Sequence, residues 1–500
     1  MQQQVTNNAG ERARFSFPLF LLLLLSTPLF AGTGRITKPV HAPAYIFLFI
    51  GDGMGPAQTA LSEAMYGGSR SLVMKSFPSI GIATTHAENR YITDSGAAGT
   101  ALATGRKTSI GTISMAANHN DTLRTIAEMA KMKGMKVGIV SSVGINDATP
   151  ACFYAHNPDR KNTGEIALQM LTSGVDYFGG GYADGNLPEN RTKSPLFRGD
   201  IVDLMKSRNY AVVTGREALR SVKRGTGCWA YTAYDEKGAM SHELDRNRNE
   251  ISLAEFTREG IRLLDNPKGF FMMVEGGKID WACHSNDAAA VAGDVLAFDR
   301  AIAEAVAFYR KHQHQTLIVV TADHECGGLS LGNTRLGYDS RFDLLRYQKI
   351  SRQRFAEKVA IWKKNRNVSF PMALDSVKVY YGLGNIAADS ALALSAADLK
   401  SLNEAYSSSI SLQVSDRNRQ SAPDDFTTTV TRNLNSRAGI GWMSNVHTAL
   451  PVEVMALGVG ASAFTGFYDN TDIAAKIIAV SQLNSPNEKQ GGSKKKAKSP

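Results

Sequence analysis

The sequence predicts an α/β fold: a doubly wound, mostly parallel central sheet flanked by helices on both faces, carrying an inserted cap- or crown-like subdomain. Three observations carry this. Short apolar runs at 45–50, 137–140, 270–274, 317–321 and 452–457 are rich in Val, Ile, Leu and Phe without polar alternation, as strands covered on both faces are. Helical patterns lie between them, for example at 123–133, 253–264 and 288–309. A polar signature follows each of the first four strands: GDGMG, NDATP, EGGKID and ADHE. Ligand sites in open α/β sheets form outside the carboxyl ends of strands, so all four signatures belong on one edge.

The stretch 335–440 differs from the rest. It is charged, locally helical at 341–364 and 395–408, and ends rich in Ser, Thr, Asn and Arg. A strand and a His motif resume only at 441–457, so 335–440 reads as an insertion between a first core part, 32–334, and a last, 441–484. A second irregular region covers about 161–250, and no internal repeat is evident.

Both ends read as lying outside the fold. Arg12 and Arg14 precede FSFPLFLLLLLSTPLFA, a basic n-region and apolar core with small residues after it. That is the pattern of a secretory signal spanning 1–31, cleaved near Ala31, and it implies export to the periplasm or beyond. A membrane anchor is the competing reading, but the run is at the short limit for a span and is broken by Pro18 and Pro28. No transmembrane segment is expected in the mature chain. The tail, 485–500, is polar and basic, a composition that stays solvated and disordered.

The 500 residues are 43% hydrophobic and 20% charged, enough for a sizeable core in a globular chain. Lys489, Lys494, Lys495, Lys496 and Lys498 supply five of the positive charges behind the net +10. No basic stripe with interleaved aromatics occurs elsewhere, so nucleic acid is not expected as a specific partner. Cys152, Cys228, Cys283 and Cys326 include no CxxC pair. Two disulfides in any of three pairings, or four buried thiols, both fit an exported chain.

Metal-ligand chemistry stands out at the strand ends. Asp280 and His284 are four apart, so on a helical turn they share a face, and a carboxylate with an imidazole suits zinc. Asp323 and His324 end a strand, Asp52 follows one directly, and His447 precedes one. Singly, each has an ordinary structural reading as a cap, turn or surface residue. Four strand ends carrying Asp, Glu and His are hard to assign to structure alone. Ser95 opens a run of small residues that reads as a tightly packed helix, where unpaired amides and the dipole favour phosphate and alkoxide. By itself, Ser95 reads as an N-cap.

GDGMG, TDSGAAGTALATG, NDATP, FFMMVEGGKID with its following His, VVTADHE and the late HT resemble the motifs of alkaline phosphatases, which cover about 44–478 apart from most of the insertion. The resemblance implies an alkaline-phosphatase-like fold and hydrolysis of phosphate monoesters, with a broad leaving-group range and an alkaline optimum. Ser95 then matches the serine that is phosphorylated, and Arg160 the phosphate-binding arginine. Asp280, His284 and His447 match the ligands of one zinc. Asp52, Asp323 and His324 match those of a second, which also touches Ser95. Asp52 bridges to a third site, usually magnesium, completed by Thr149 and Glu275. The implied cofactors are two zinc ions and one magnesium ion. The implied partners are small phosphomonoesters, inorganic phosphate and a second copy of the chain.

Two positions depart from some family members. Trp281 stands where others have Lys or His, paired across the site with the position of Asp147, which puts substrate affinity and the third metal in question. Cys283 and Cys326 lie next to ligands and read as small packing residues. Phosphodiester or sulfate hydrolysis on the same scaffold is the nearest alternative, but TDSGAAG lacks the Cys- or Ser-x-Pro-x-Arg signature of sulfatases. A non-catalytic exported metal- or phosphate-binding protein would fit if a ligand or the nucleophile were missing.

Overall fold

The run YIFLFIG is buried at every position, which only an interior strand with both faces covered allows. The computed structural model describes residues 41–67, 72–183, 200–232, 238–411 and 424–483. The expected signal at 1–31 and tail at 485–500 lie outside the described residues. The strands are β1 (Tyr45–Gly51), β2 (Ser79–Thr84), β3 (Lys136–Ser141), β4 (Tyr177–Gly180), β5 (Ala211–Thr214), β6 (Cys228–Tyr231), β7 (Phe270–Glu275), β8 (Thr316–Ala322), β9 (Glu325–Cys326), β10 (Leu329–Leu331), β11 (Ile440–Trp442), β12 (His447–Thr448), β13 (Val452–Gly458) and β14 (Gly466–Asp469).

Ten of them form one open sheet in the order β14-β2-β13-β8-β1-β7-β3-β4-β6-β5. Pairing is parallel throughout, except where β13 runs against both β2 and β8. The carboxyl ends of β1, β3, β7 and β8 therefore share one edge, as expected. Because β13 is reversed, its start at Val452 reaches that same edge, and His447 can precede its strand and still join the site.

Three expectations need correction. The irregular region about 161–250 contains β4, β5 and β6, four residues each, too short to display a period of their own. The helix expected at 341–364 is a 3-10 turn, Phe342–Tyr347, and a separate helix, Arg352–Asn365, started by the side-chain cap of Ser351. The helix expected at 123–133 begins at Ile126, where Thr125 and Glu128 form a capping box. Leu253–Leu264 and Ala288–Tyr309 fall as expected.

The main core surrounds the sheet. A second apolar cluster joins Phe355, Val377, Leu402, Phe426, Val430 and Leu434 to Leu61, Met65, Ala288 and Ala292. The helices Phe370–Tyr381, Ala396–Ser411 and Asp425–Ala438 contribute to it. Among the described residues no helix is long and apolar enough to cross a membrane.

Candidate active site

Ser95 is the first residue of the helix Ser95–Thr104, not its cap. Asp94 takes the N-cap role, its Oδ1 accepting from the Ala97 amide at 3.0 Å. This overturns the ordinary reading of Ser95 and leaves its hydroxyl free of capping work. All ten residues of this helix are buried, and its small side chains let it pack closely. A Cβ on Gly99 would lie 3.0 Å from Cys152 Sγ. Ser95 Oγ lies 3.3 Å from His324 Nε2.

The ligands expected at the strand ends come together as two groups. Asp52, Asp323 and His324 have ligand atoms within 4.8 Å of one another, and all three are buried. His324 Nε2 stands 3.4 Å from Asp52 Oδ1 and 3.3 Å from Asp323 Oδ2. Asp280, His284, His447 and Cys326 form the second group under the same limit. His284 Nε2 is 3.1 Å from Asp280 Oδ2 and 3.2 Å from His447 Nε2.

Backbone carbonyls fix both imidazoles. His284 Nδ1 meets Asn445 O at 2.7 Å and His447 Nδ1 meets Thr93 O at 3.0 Å. Each contact needs a proton on Nδ1, which in the neutral ring leaves Nε2 as the free ligand atom facing the group. The β9–β12 ladder, pairing His447 with Cys326 and Thr448 with Glu325, carries the late His motif onto the Asp323–His324 turn. Gly53 is required beside it: φ is +68°, and a Cβ there would come 2.8 Å from Asp280 Oδ1.

Among the buried oxygens without hydrogen-bond partners are several of the expected metal ligands. They include Asp52 Oδ1, Thr149 Oγ1, Glu275 Oε1, Asp280 Oδ1 and Asp323 Oδ2. Burial raises the pKa of Asp52 well above the carboxylate range, and the charges of Asp323, Asp280 and Glu275 raise it further. Burial likewise raises Glu275 and Asp323, with nearby carboxylates adding to both. Packing several carboxylates together in a dry site is costly unless cations neutralise them. The donor set fits divalent metal ions. Cys326 shares the second group, and its contact with Cys283 and its burial raise the pKa of its thiol. All four cysteines are free and buried, and none is disulfide-bonded.

Arg160 is gripped from two sides. Its Nη1 donates to Asp94 Oδ2 at 3.1 Å and its Nη2 to Asp147 Oδ1 at 3.0 Å. Burial opposes its charge, yet Asp147 and Asp94 outweigh burial and raise its pKa. Trp281 is stacked under Lys278, whose Nζ sits 4.5 Å from the ring centroid and donates to Gln353 Oε1. The positive charge absent from position 281 thus lies one helical turn earlier.

Four contributors escaped the sequence reading. Asp94 both caps the helix and holds Arg160; Ser141 Oγ donates to Glu275 Oε2. Lys278 covers Trp281, and buried Glu325 ties Gln58 and Thr448 to the His324 turn. Only Asp94 carried a local signal, an Asp directly before a helix start.

The alkaline phosphatase family model matches residues 44–483, most of the chain. This chain belongs to the alkaline phosphatase family. Alkaline phosphatase 4 of Bacillus subtilis is 30% identical, over 87% of this chain and 88% of its own. Alkaline phosphatase 3 of the same bacterium is 29% identical, over 88% and 89%. Among solved structures, the cold-active alkaline phosphatase of a psychrophilic Shewanella superposes with a TM-score of 0.72 at 28% identity, covering 88% of this chain and all of that one. The chain is an enzyme of this family, and its reaction is the hydrolysis of phosphate monoesters.

Proposed function

We propose that the enzyme works through a phosphoserine on Ser95, at a centre of two zinc ions and one magnesium ion, with a broad leaving-group range and an alkaline optimum. The observation that carries this reading is the set of partnerless buried oxygens on Asp52, Thr149, Glu275, Asp280 and Asp323. Asp280, His284 and His447 offer one carboxylate and two imidazoles, a set that suits zinc, and Asp52, Asp323 and His324 a second. Asp52, Thr149 and Glu275 offer oxygen alone, which suits magnesium. Bound there, divalent ions would lower the pKa of the Ser95 hydroxyl and neutralise charge on the departing oxygen.

The remaining work belongs to the chain. Arg160, oriented by Asp94 and Asp147, holds two non-bridging phosphate oxygens in its planar fork. Ser95 Oγ, its proton released to solvent, forms a bond to phosphorus as the bond to the alcohol oxygen breaks, and the alcohol leaves with a proton from solvent. Water then cleaves the Ser95 ester and inorganic phosphate departs. In-line geometry puts the departing alcohol opposite Ser95, on the side of Asp280, His284 and His447.

We further read 1–31 as a signal cleaved near Ala31, the mature enzyme as an exported homodimer, and 335–440 as a cap inserted into the core. N-terminal sequencing of exported protein starting at Met1 would refute the first. For the chemistry, acid-quenched turnover of a phosphate-labelled monoester should leave label on Ser95. Ser95→Ala should keep its metals while losing on the order of 10⁴-fold or more in kcat. Unchanged turnover in that variant would refute the nucleophile.

A further inference from the structure

A cavity of about 420 Å³ opens beside His284, between the catalytic edge and the helix Asp425–Ala438. Its volume is in the range that holds a small organic ligand. Thr428, Thr431, Arg432, Asn435 and Ser436 line it, a polar stripe at three- and four-residue spacing on one helical face. The opposite face, Phe426, Val430 and Leu434, is sealed into the second apolar cluster.

Two arginines line this cavity, and among the described residues neither lies within ion-pair distance of a carboxylate. Arg352 is 8% exposed. Its Nη1 donates to Ser285 O at 2.6 Å and its Nη2 to Thr428 Oγ1 at 2.7 Å, both neutral acceptors. Asp287 bonds the Arg352 backbone amide, not its guanidinium, though its charge and that of Asp424 favour the charged form of Arg352. Burial, chiefly, and the like charge of exposed Arg432 to a lesser degree lower the pKa of Arg352. A buried guanidinium whose two Nη atoms meet only neutral acceptors gains from a further anion in the cavity that both arginines line. Asn435 is 3% exposed, and its Oδ1 has no hydrogen-bond partner. Trp442 also lines the cavity.

We infer that this cavity is a leaving-group subsite, selecting, within a broad range, phosphomonoesters whose alcohol carries a second anionic group. This rests on the reading that the alcohol departs past His284. Arg352 and Arg432 would take the anion, each through its planar fork. A carboxylate and a second phosphate present the same chemistry to the arginines, and matched substrates separate them.

The test compares kcat/KM of the metal-loaded enzyme within two pairs: 3-phosphoglycerate against glycerol 3-phosphate, and glucose 1,6-bisphosphate against glucose 1-phosphate. At low salt the anion-bearing member of at least one pair should be favoured tenfold or more, with the larger ratio naming the preferred anion. Raising ionic strength should shrink that ratio, because Arg432 is exposed. Arg432→Gln should bring it to within about twofold of unity. Arg432→Lys, which keeps the charge, should retain most of it. Ratios near one in the unmodified enzyme, or a ratio that Arg432→Gln leaves intact, would overturn the subsite. Hydrolysis of neither member of either pair would instead overturn the phosphomonoesterase reading on which it rests.

Discussion

The two ligand groups on the catalytic edge are built from similar donors but differ in burial at their imidazoles, while Asp280 is as buried as Asp52. Asp323 and His324 are fully buried and Asp52 is 6% exposed, whereas the side chain of His284 is 39% exposed. The closed group faces Ser95, which lies 3.3 Å from His324. The open one borders the cavity through His284. On the proposed mechanism one centre divides its tasks by access to solvent: the nucleophile would be prepared in a dry pocket, and the alcohol would depart through a wetter one. Metal-site donor types alone would not separate these roles; their surroundings do.

The sharpest way to break this comparison is to remove one ligand from each group. Asp323→Ala strips the closed group of a carboxylate that also anchors the Gly53 and His324 amides. It should cost on the order of 10³-fold in kcat/KM, a few kcal/mol of lost transition-state stabilisation, and added zinc should not restore it. His284→Ala should cost about 10- to 100-fold, the range for a perturbed metal site, and excess zinc should recover much of the loss through the open side. Equal losses with equal rescue would erase the distinction.

A smaller effect is expected where the two groups share the substrate. Asp94→Asn weakens one arm of the Arg160 clamp and keeps an acceptor for the Ala97 amide. KM should rise about tenfold with kcat falling less, the worth of one charge-assisted hydrogen bond. A larger fall in kcat than rise in KM would mean that Asp94 acts on the chemical step. Smallest of all is Cys326→Ala. If Cys326 packs beside the open group without ligating, kcat/KM should fall less than about threefold and zinc content should hold, with a stability loss near 1 kcal/mol. Loss of one zinc per chain would make the thiol a ligand.

Much of this edge was legible in the sequence because a parallel sheet brings successive strand ends to one side. β1, β3, β7 and β8 each carry a chemical signature immediately after a buried apolar run, so order along the chain maps directly onto the site. The direction of β13 was not legible, since local pattern does not encode whether a strand runs with or against its neighbours. Four-residue strands such as β4 and β6 leave no measurable period. Asp94, Ser141, Lys278 and Glu325 act through contacts between distant elements, which residue spacing does not reveal. Ser95 was the instructive case: the sequence suggested a cap, and only the bond from the Ala97 amide to Asp94 showed that the neighbour performs it.

Diffraction from crystals of the metal-loaded enzyme, recorded on both sides of the zinc absorption edge, tests the central claim most directly. Two anomalous peaks per chain are predicted, one enclosed by Asp52, Asp323 and His324 beside Ser95, the other by Asp280, His284 and His447. A fully active enzyme with no peak at either group, or with its metal bound away from these residues, would contradict the account.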